Sequence, residues 1–284
     1  MPAASRRAAL LSGRKARLRR PRPGGSNSVD SLDGKLACPT NYCKAGPWRS
    51  GREVHLQPVI RALLFDAAGT LIEPAEPVAE VYARHAAAFG LNLEVTVIRE
   101  AFVHAFGSSG DPSWEGHPEG DSAEREWWRR VVRLTLERAA ARPLPHELVA
   151  DCFEGLFGHY ESSAAWRVFP EVAEALDEAR RAGLRVAVVS NFDRRLHRIL
   201  EEWGLNFEFV LTSADARARK PDPSIFHKAL GRLALPPEDV LHAGDSAAAD
   251  GAGARAAGID PYLLDRPRND LRGFLELALR RRGK

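Results

Sequence analysis

The chain has 284 residues, 44% of them hydrophobic, which suits one large globular domain with room for an insert. No apolar run approaches the roughly 18 residues that mark a membrane helix, so no membrane partner is expected. The formal charge of +3 is unevenly spread: eight Arg/Lys and no acid in residues 1–29, four basic and three acidic groups in residues 30–56, and hence a net −6 from residue 57 onward. An acidic folded portion speaks against nucleic-acid binding despite the basic pI.

Residues 1–56 read as a disordered basic extension, Arg-rich and then rich in Pro, Gly and Ser, with no sustained apolar period. Met1 is the only methionine and arginine far outnumbers lysine. Three readings stay open for this segment: a dispensable or mis-extended start, a mitochondrial or plastid transit peptide, and a nucleic-acid-binding arm. The expected location is the cytoplasm, or an organelle if the transit reading holds. Cys38 and Cys43 with His55 offer only a loose three-ligand set, short of a structural zinc site. Cys152, beside Phe153, reads as a packed small hydrophobe.

From Val59 the pattern is a strand, a long helical stretch, then alternating helices and strands. Strands are expected at 60–66, 184–191, 207–213, 240–246 and 261–265, with helices near 171–182, 193–204, 223–234 and 248–257. That alternation predicts an α/β fold with a doubly wound parallel sheet, Rossmann-like in its connections. Asp193 and Asp222 are expected to cap helices, and Gly204 and Gly258 to close them. Residues 76–166 interrupt the alternation with helices near 80–89, 95–106, 122–141 and 145–160, separated by a polar, Gly/Pro-rich loop at 107–121. The domains expected are therefore a core of 57–75 and 167–284 and a helical insert of 76–166. Trp127 and Trp128 read as insert core more than as substrate contacts.

Chemistry-bearing residues fall at strand ends, where open α/β sheets bind ligands. Asp66 ends the first strand as a candidate nucleophile, with Gly69 and Thr70 turning the chain away. Ser190 and Asn191 end the second, before a helix whose backbone N–H groups suit a phosphate. Lys220, in Arg219-Lys220-Pro221, supplies a compact positive charge; beyond residue 56 the only other lysines are Lys228 and Lys284. Gly244-Asp245-Ser246 ends the fourth, with Asp250 five residues after Asp245, a carboxylate pair suited to magnesium.

These elements, in this order, resemble motifs I to IV of the haloacid dehalogenase (HAD) superfamily over residues 58–266. The run Val188 to Leu196, the run Phe209 to Ser213 and the Trp127-Trp128 pair are most similar to its REG-2-like group. The resemblance implies a HAD core with a C1-type helical cap inserted after the first strand. It further implies a Mg²⁺-dependent phosphatase or related phosphotransfer through an aspartyl-phosphate on Asp66. Lys220 would be catalytic with it, and Ser190, Asn191 and Lys220 would hold phosphate. The metal would take Asp66, the Ala68 backbone carbonyl, Asp245 and Asp250, and the substrate would be a small phosphorylated metabolite.

One position departs from that pattern. HAD phosphatases carry a second aspartate where this chain has Ala68, and loss of a general acid/base costs roughly 10²- to 10⁴-fold in rate, about 3 to 5 kcal/mol. Phosphonatases carry alanine there but need an insert lysine, and residues 76–166 contain none. A 2-haloacid dehalogenase would use Asp66 without a metal, against which Asp245 and Asp250 speak. A pseudoenzyme that binds phosphate or a partner also remains open. The loop at 107–121 and the helix carrying Glu126 to Arg130 are the expected places for specificity.

Overall fold

The computed structural model describes residues 59–117 and 119–282. Its sheet has five parallel strands in the order β5-β4-β1-β6-β7. These are β1 (Ala62–Phe65), β4 (Arg185–Ser190), β5 (Val210–Thr212), β6 (Val240–Gly244) and β7 (Asp260–Leu263). The central strand β1 is buried along its whole length, as expected of a parallel strand covered on both faces.

Side chains alternate across the sheet. Leu63, Phe65, Val186, Val188, Leu241 and Ala243 share one apolar cluster, packed by α5 (Val172–Arg181), α6 (Arg195–Glu202) and α10 (Leu271–Arg282). Ala62, Leu64, Ala187, Val189 and Val240 share the other, with α8 (Pro223–Leu233) and α9 (Gly253–Ala256) against them. The register pairs Phe65 with Val188 on one side and Ala243 on the other. Asp66, Ser190 and Gly244 therefore reach the same edge of the sheet.

Between β1 and β4 the chain leaves the sheet through β2 (Ile72–Pro74) and returns through β3 (Trp166–Val168), which pair antiparallel. They bracket α1 (Val78–Ala88), α2 (Val95–Ser108), α3 (Gly120–Ala140) and α4 (His146–His159). These four helices have a core of their own around Tyr82, Ile98, Val132, Leu136 and Phe153, and Cys152 is buried within it. The N-terminus of α3 sits on α7 (Ser213–Ala216): a Cβ on Gly120 would lie 1.9 Å from the Ala214 carbonyl oxygen. Glu124, one turn on, accepts a hydrogen bond from Ser213 Oγ. Among the described residues no helix is long and apolar enough to cross a membrane.

Several elements differ from the sequence expectation. The strands are shorter, because their ends are given over to the polar groups described below. β2, β3 and α7 have only three or four residues, too few for a period to register. α10 was missed although Leu271, Phe274, Leu275 and Ala278 carry a helical spacing and are all buried. Asp222 caps α8 as expected, accepting from Ser224 N at 2.8 Å. Asp193 accepts from Arg195 N at 3.1 Å while lying one residue before the N-cap of α6.

The helix expected at 248–257 is instead a π-helical turn, Ala247–Ala252, followed by α9. The wide turn lets Asp250 face inward and accept from the Ser246 N–H at 3.0 Å, a deformation typical of functional positions. Cys38, Cys43, His55 and the basic extension lie outside the described residues.

Candidate active site

Asp66 follows β1 and is 6% exposed. Its Oδ1 accepts two side-chain donors, Ser190 Oγ at 2.9 Å and Lys220 Nζ at 2.6 Å. Oδ2 has no side-chain donor among the described residues, so one oxygen is oriented and the other is available for bond formation.

Lys220 is 3% exposed. Its ammonium also donates to Asp250 Oδ1 at 2.6 Å and to the Val189 carbonyl at 3.0 Å, which uses all three protons. The loop carrying it is fixed by Asn191, whose Nδ2 donates to the Lys220 carbonyl at 2.9 Å and whose Oδ1 accepts from the Lys220 N–H at 2.8 Å. Asn191, expected as a phosphate ligand, thus holds Lys220 through one amide proton and its carbonyl oxygen, and its second Nδ2 proton has no acceptor among the described residues. Ser190 touches Asp66 directly.

Asp245, just past β6, completes an acidic group. One carboxylate oxygen from each of Asp66, Asp245 and Asp250 lies within 4.8 Å of the others. Two glycines make room for it. A Cβ on Gly69, which sits at φ +85°, would lie 2.4 Å from Asp245 Oδ2, and one on Gly244 would lie 2.1 Å from Asp250 Cγ. Neither position tolerates a side chain without displacing a carboxylate. Arg266 steadies the turn, donating to the Thr70 carbonyl at 2.9 Å.

His242 was not among the residues singled out from sequence. It is fully buried in β6, its Nε2 is 2.9 Å from Asp250 Oδ1, and its Nδ1 has no partner among the described residues. That arrangement suits donation from Nε2 to Asp250. The available signal was a polar residue within the apolar run Val240 to Gly244. Asp250 Oδ1 therefore takes Lys220 and His242 while Oδ2 takes the Ser246 N–H.

The electrostatics follow from burial and neighbours. Burial raises the Asp66 carboxyl, Lys220 opposes that and Asp250 adds to it, with a net upward direction. Lys220 is disfavoured by burial, but Asp66 and Asp250 more than compensate and hold its ammonium above the ordinary lysine range. Burial works against the Asp250 charge as well, yet Lys220 and His242 hold it well below the usual carboxylate range. Asp245 is exposed along part of its side chain, but desolvation of the carboxyl packed on Gly69, with Asp66 and Asp250 beside it, pushes it up to about 6.

Three carboxylates around one ammonium leave a site of net negative charge built from hard oxygen donors. That donor set fits a magnesium ion. The Ala68 carbonyl, expected as a further ligand, keeps its oxygen free of backbone donors among the described residues. The turn N–H groups of Thr70, Leu71 and Ile72 go to Ala67, and no backbone N–H among the described residues is bonded to the Ala68 oxygen.

A second feature opens beside the first. A cavity of about 230 Å³ lies between the helical insert and the strand ends, with Ala68 and Asn191 from the core and aromatic side chains from α1, α2, α3 and α4 in its walls. The loop at 107–121 contributes nothing to the walls among the described residues, and neither do Glu126, Arg129 or Arg130. Trp128 lines the cavity, while Trp127 is buried, with its indole Nε1 2.7 Å from the Gly110 carbonyl and the Arg219 guanidinium 4.2 Å over its ring.

Comparison with known proteins fits this geometry. Residues 60–258 match the model of the haloacid dehalogenase-like hydrolase family. The chain is 38% identical over 211 residues to haloacid dehalogenase-like hydrolase domain-containing protein 3 of Bos taurus, covering 73% of this chain and 83% of that protein. It is 27% identical over 223 residues to the rhythmically expressed gene 2 protein of Drosophila melanogaster, covering 72% and 82% respectively. Among solved structures, a HAD phosphatase from Thermococcus onnurineus superposes with a TM-score of 0.54 at 22% identity, over 77% of this chain and 97% of that one. The last likeness is one of fold.

Proposed function

The chain belongs to the haloacid dehalogenase-like hydrolase family, and on that premise we propose that it is a magnesium-dependent phosphatase of small phosphorylated metabolites, with Asp66 as nucleophile. The observation that carries this reading is the convergence of Lys220 and Ser190 on a single oxygen of a buried aspartate at a strand end, with Asp245 beside it.

Asp66 Oδ2 attacks phosphorus, an O–P bond forms, and the P–O bond to the leaving group breaks with its electron pair staying on the leaving oxygen. Water then attacks the aspartyl-phosphate, which releases the Asp66 carboxylate and dihydrogen phosphate. Lys220 offsets negative charge at Asp66 and at the transferring group, and Ser190 keeps the attacking carboxylate oriented. Asn191 fixes the Lys220 loop and offers its second Nδ2 proton to phosphate. Asp66, Asp245 and the Ala68 carbonyl are the groups assigned to magnesium. Asp250 belongs to the same acidic group and is assigned to the ion with them: Lys220 and His242 hold its Oδ1, and its Oδ2 accepts only the Ser246 N–H. The ion supplies charge neutralisation for the phosphoryl oxygens when bound.

In this reading residues 57–75 and 167–284 form the catalytic core, and residues 76–166 act as a cap over the strand ends. Ala68 gives the leaving group no proton. Turnover should therefore survive best for leaving groups that depart as stable anions. Acetyl phosphate with Mg²⁺ should be hydrolysed by the wild-type protein and not by Asp66→Asn. Equal rates for the two would refute the reading. Ala68 also favours a second reading, in which the site binds phosphate without turning it over; magnesium-dependent phosphate binding with no hydrolysis of acetyl phosphate would establish that instead.

A further inference from the structure

The cavity beside Ala68 has a composition unlike that of the acidic group around Asp66, two residues earlier in the chain. Its walls include Phe102, Phe106, Trp128, Phe157 and Phe192. An apolar cavity of about 150 Å³ is already large enough to take benzene, and this one is about 230 Å³. The rings of Tyr82 and Tyr160 complete the same wall. Arg219 lines the cavity and stacks on Trp127, and no hydrogen bond to its guanidinium is formed among the described residues. A planar cation set in an aromatic wall favours a flat ring over an aliphatic chain.

Ala68 joins this cavity to the chemistry. It follows Asp66 by two residues and forms part of the cavity floor. An aspartate at that position would place a carboxylate against an apolar surface, which is costly without a partner. Conversely, a leaving group lodged among aromatic rings needs no proton if its oxyanion is stable. An aryl oxide meets that condition: a phenol such as the tyrosine side chain has a pKa of about 10, against 15.7 or so for water.

We infer that the site is specific for aryl phosphates, with the aromatic leaving group seated in the cavity between the insert and the strand ends. The inference rests on the phosphatase reading and deepens it. Asp66 takes the phosphoryl group, the aryl P–O bond breaks with its electron pair on the aryl oxygen, and the aryl oxide is protonated by solvent after it leaves. Sugar phosphates and other polyhydroxylated esters are disfavoured, because the aromatic walls cannot satisfy their hydroxyls.

The test separates binding from turnover, so that it stands whether or not hydrolysis is seen. Phenylphosphonate and methylphosphonate, neither of which has an ester bond to cleave, are titrated calorimetrically into the full chain with Mg²⁺. Phenylphosphonate is expected to bind at least about tenfold more tightly, in line with burial of an aromatic ring. That preference should fall to threefold or less in Trp128→Ala and in Phe106→Ala. The second variant guards against misfolding, since Phe106 is 43% exposed. Equal binding of the two phosphonates, or a preference unchanged in both variants, overturns the inference. Loss of acetyl phosphate turnover alone would strike the phosphatase reading and leave the phosphonate preference to be judged on its own.

Discussion

The strand ends of the sheet and the walls of the cavity are neighbours built on opposite principles. At the strand ends a few charged side chains are locked by short hydrogen bonds, with Lys220 2.6 Å from both Asp66 and Asp250. Around the cavity, rings from several helices meet face to edge, as Phe106 does with Trp127 at 5.4 Å between centroids. The first region draws its precision from sheet register and from loops as tight as Gly69. The second draws its shape from side-chain volume spread along the whole insert. In the proposed function, the chemistry that every substrate shares belongs to the first and discrimination among substrates to the second.

Ala68 lies where the two regions meet, and altering it gives the largest effect. Ala68→Asp should speed the hydrolysis of alkyl phosphates by roughly 10²- to 10⁴-fold, the contribution expected of a general acid, and should leave acetyl phosphate nearly unchanged. The same substitution should weaken phenylphosphonate binding, because it places a carboxylate in the cavity floor. Steady-state rates on ethyl and acetyl phosphate, with calorimetry on the phosphonate, check both halves. A uniform rise across all substrates would show that the missing acid and the apolar floor are unrelated.

A smaller effect separates the regions by pH. Asp245, pushed up to about 6, must lose its proton to hold a metal. Magnesium affinity should therefore weaken by about tenfold per pH unit below that value. In the metal-free protein the same upward shift means that this group's contribution to stability is full below its ordinary 3.8 and is lost as pH rises through about 6. Phenylphosphonate's advantage over methylphosphonate, by contrast, should stay level across pH 5 to 8, because the aromatic wall does not titrate there. Calorimetry with Mg²⁺ and each phosphonate at a series of pH values distinguishes the two.

The contrast also explains what could be read from the sequence. Asp66, Ser190, Lys220 and Asp245 each follow or end an apolar run or sit in a short Gly/Pro-marked loop, so local pattern was enough to expect them at one edge of a parallel sheet. Asn191 shared that pattern, and only the fold shows that its carboxamide is turned to the Lys220 backbone. His242 was hidden because a single polar residue inside a buried strand has no local signature of its partner eight residues on. The cavity was less legible still: Tyr82, Phe102, Trp128 and Phe157 sit on four different helices, and helical periodicity says which face is apolar without saying whether that face closes on itself or leaves a space. The loop at 107–121, expected to carry specificity, does not line this cavity among the described residues.

In the proposed mechanism everything turns on Asp66 accepting a phosphoryl group. Fluorine NMR of the full chain with beryllium fluoride and Mg²⁺ tests it most directly, because that complex mimics a phosphoryl group on an aspartate. The expected result is a bound-fluoride resonance that requires Mg²⁺, is absent in Asp66→Asn, and is lost when acetyl phosphate competes. A resonance that persists in Asp66→Asn, or none in the wild-type protein under conditions where Mg²⁺ binds, would contradict it.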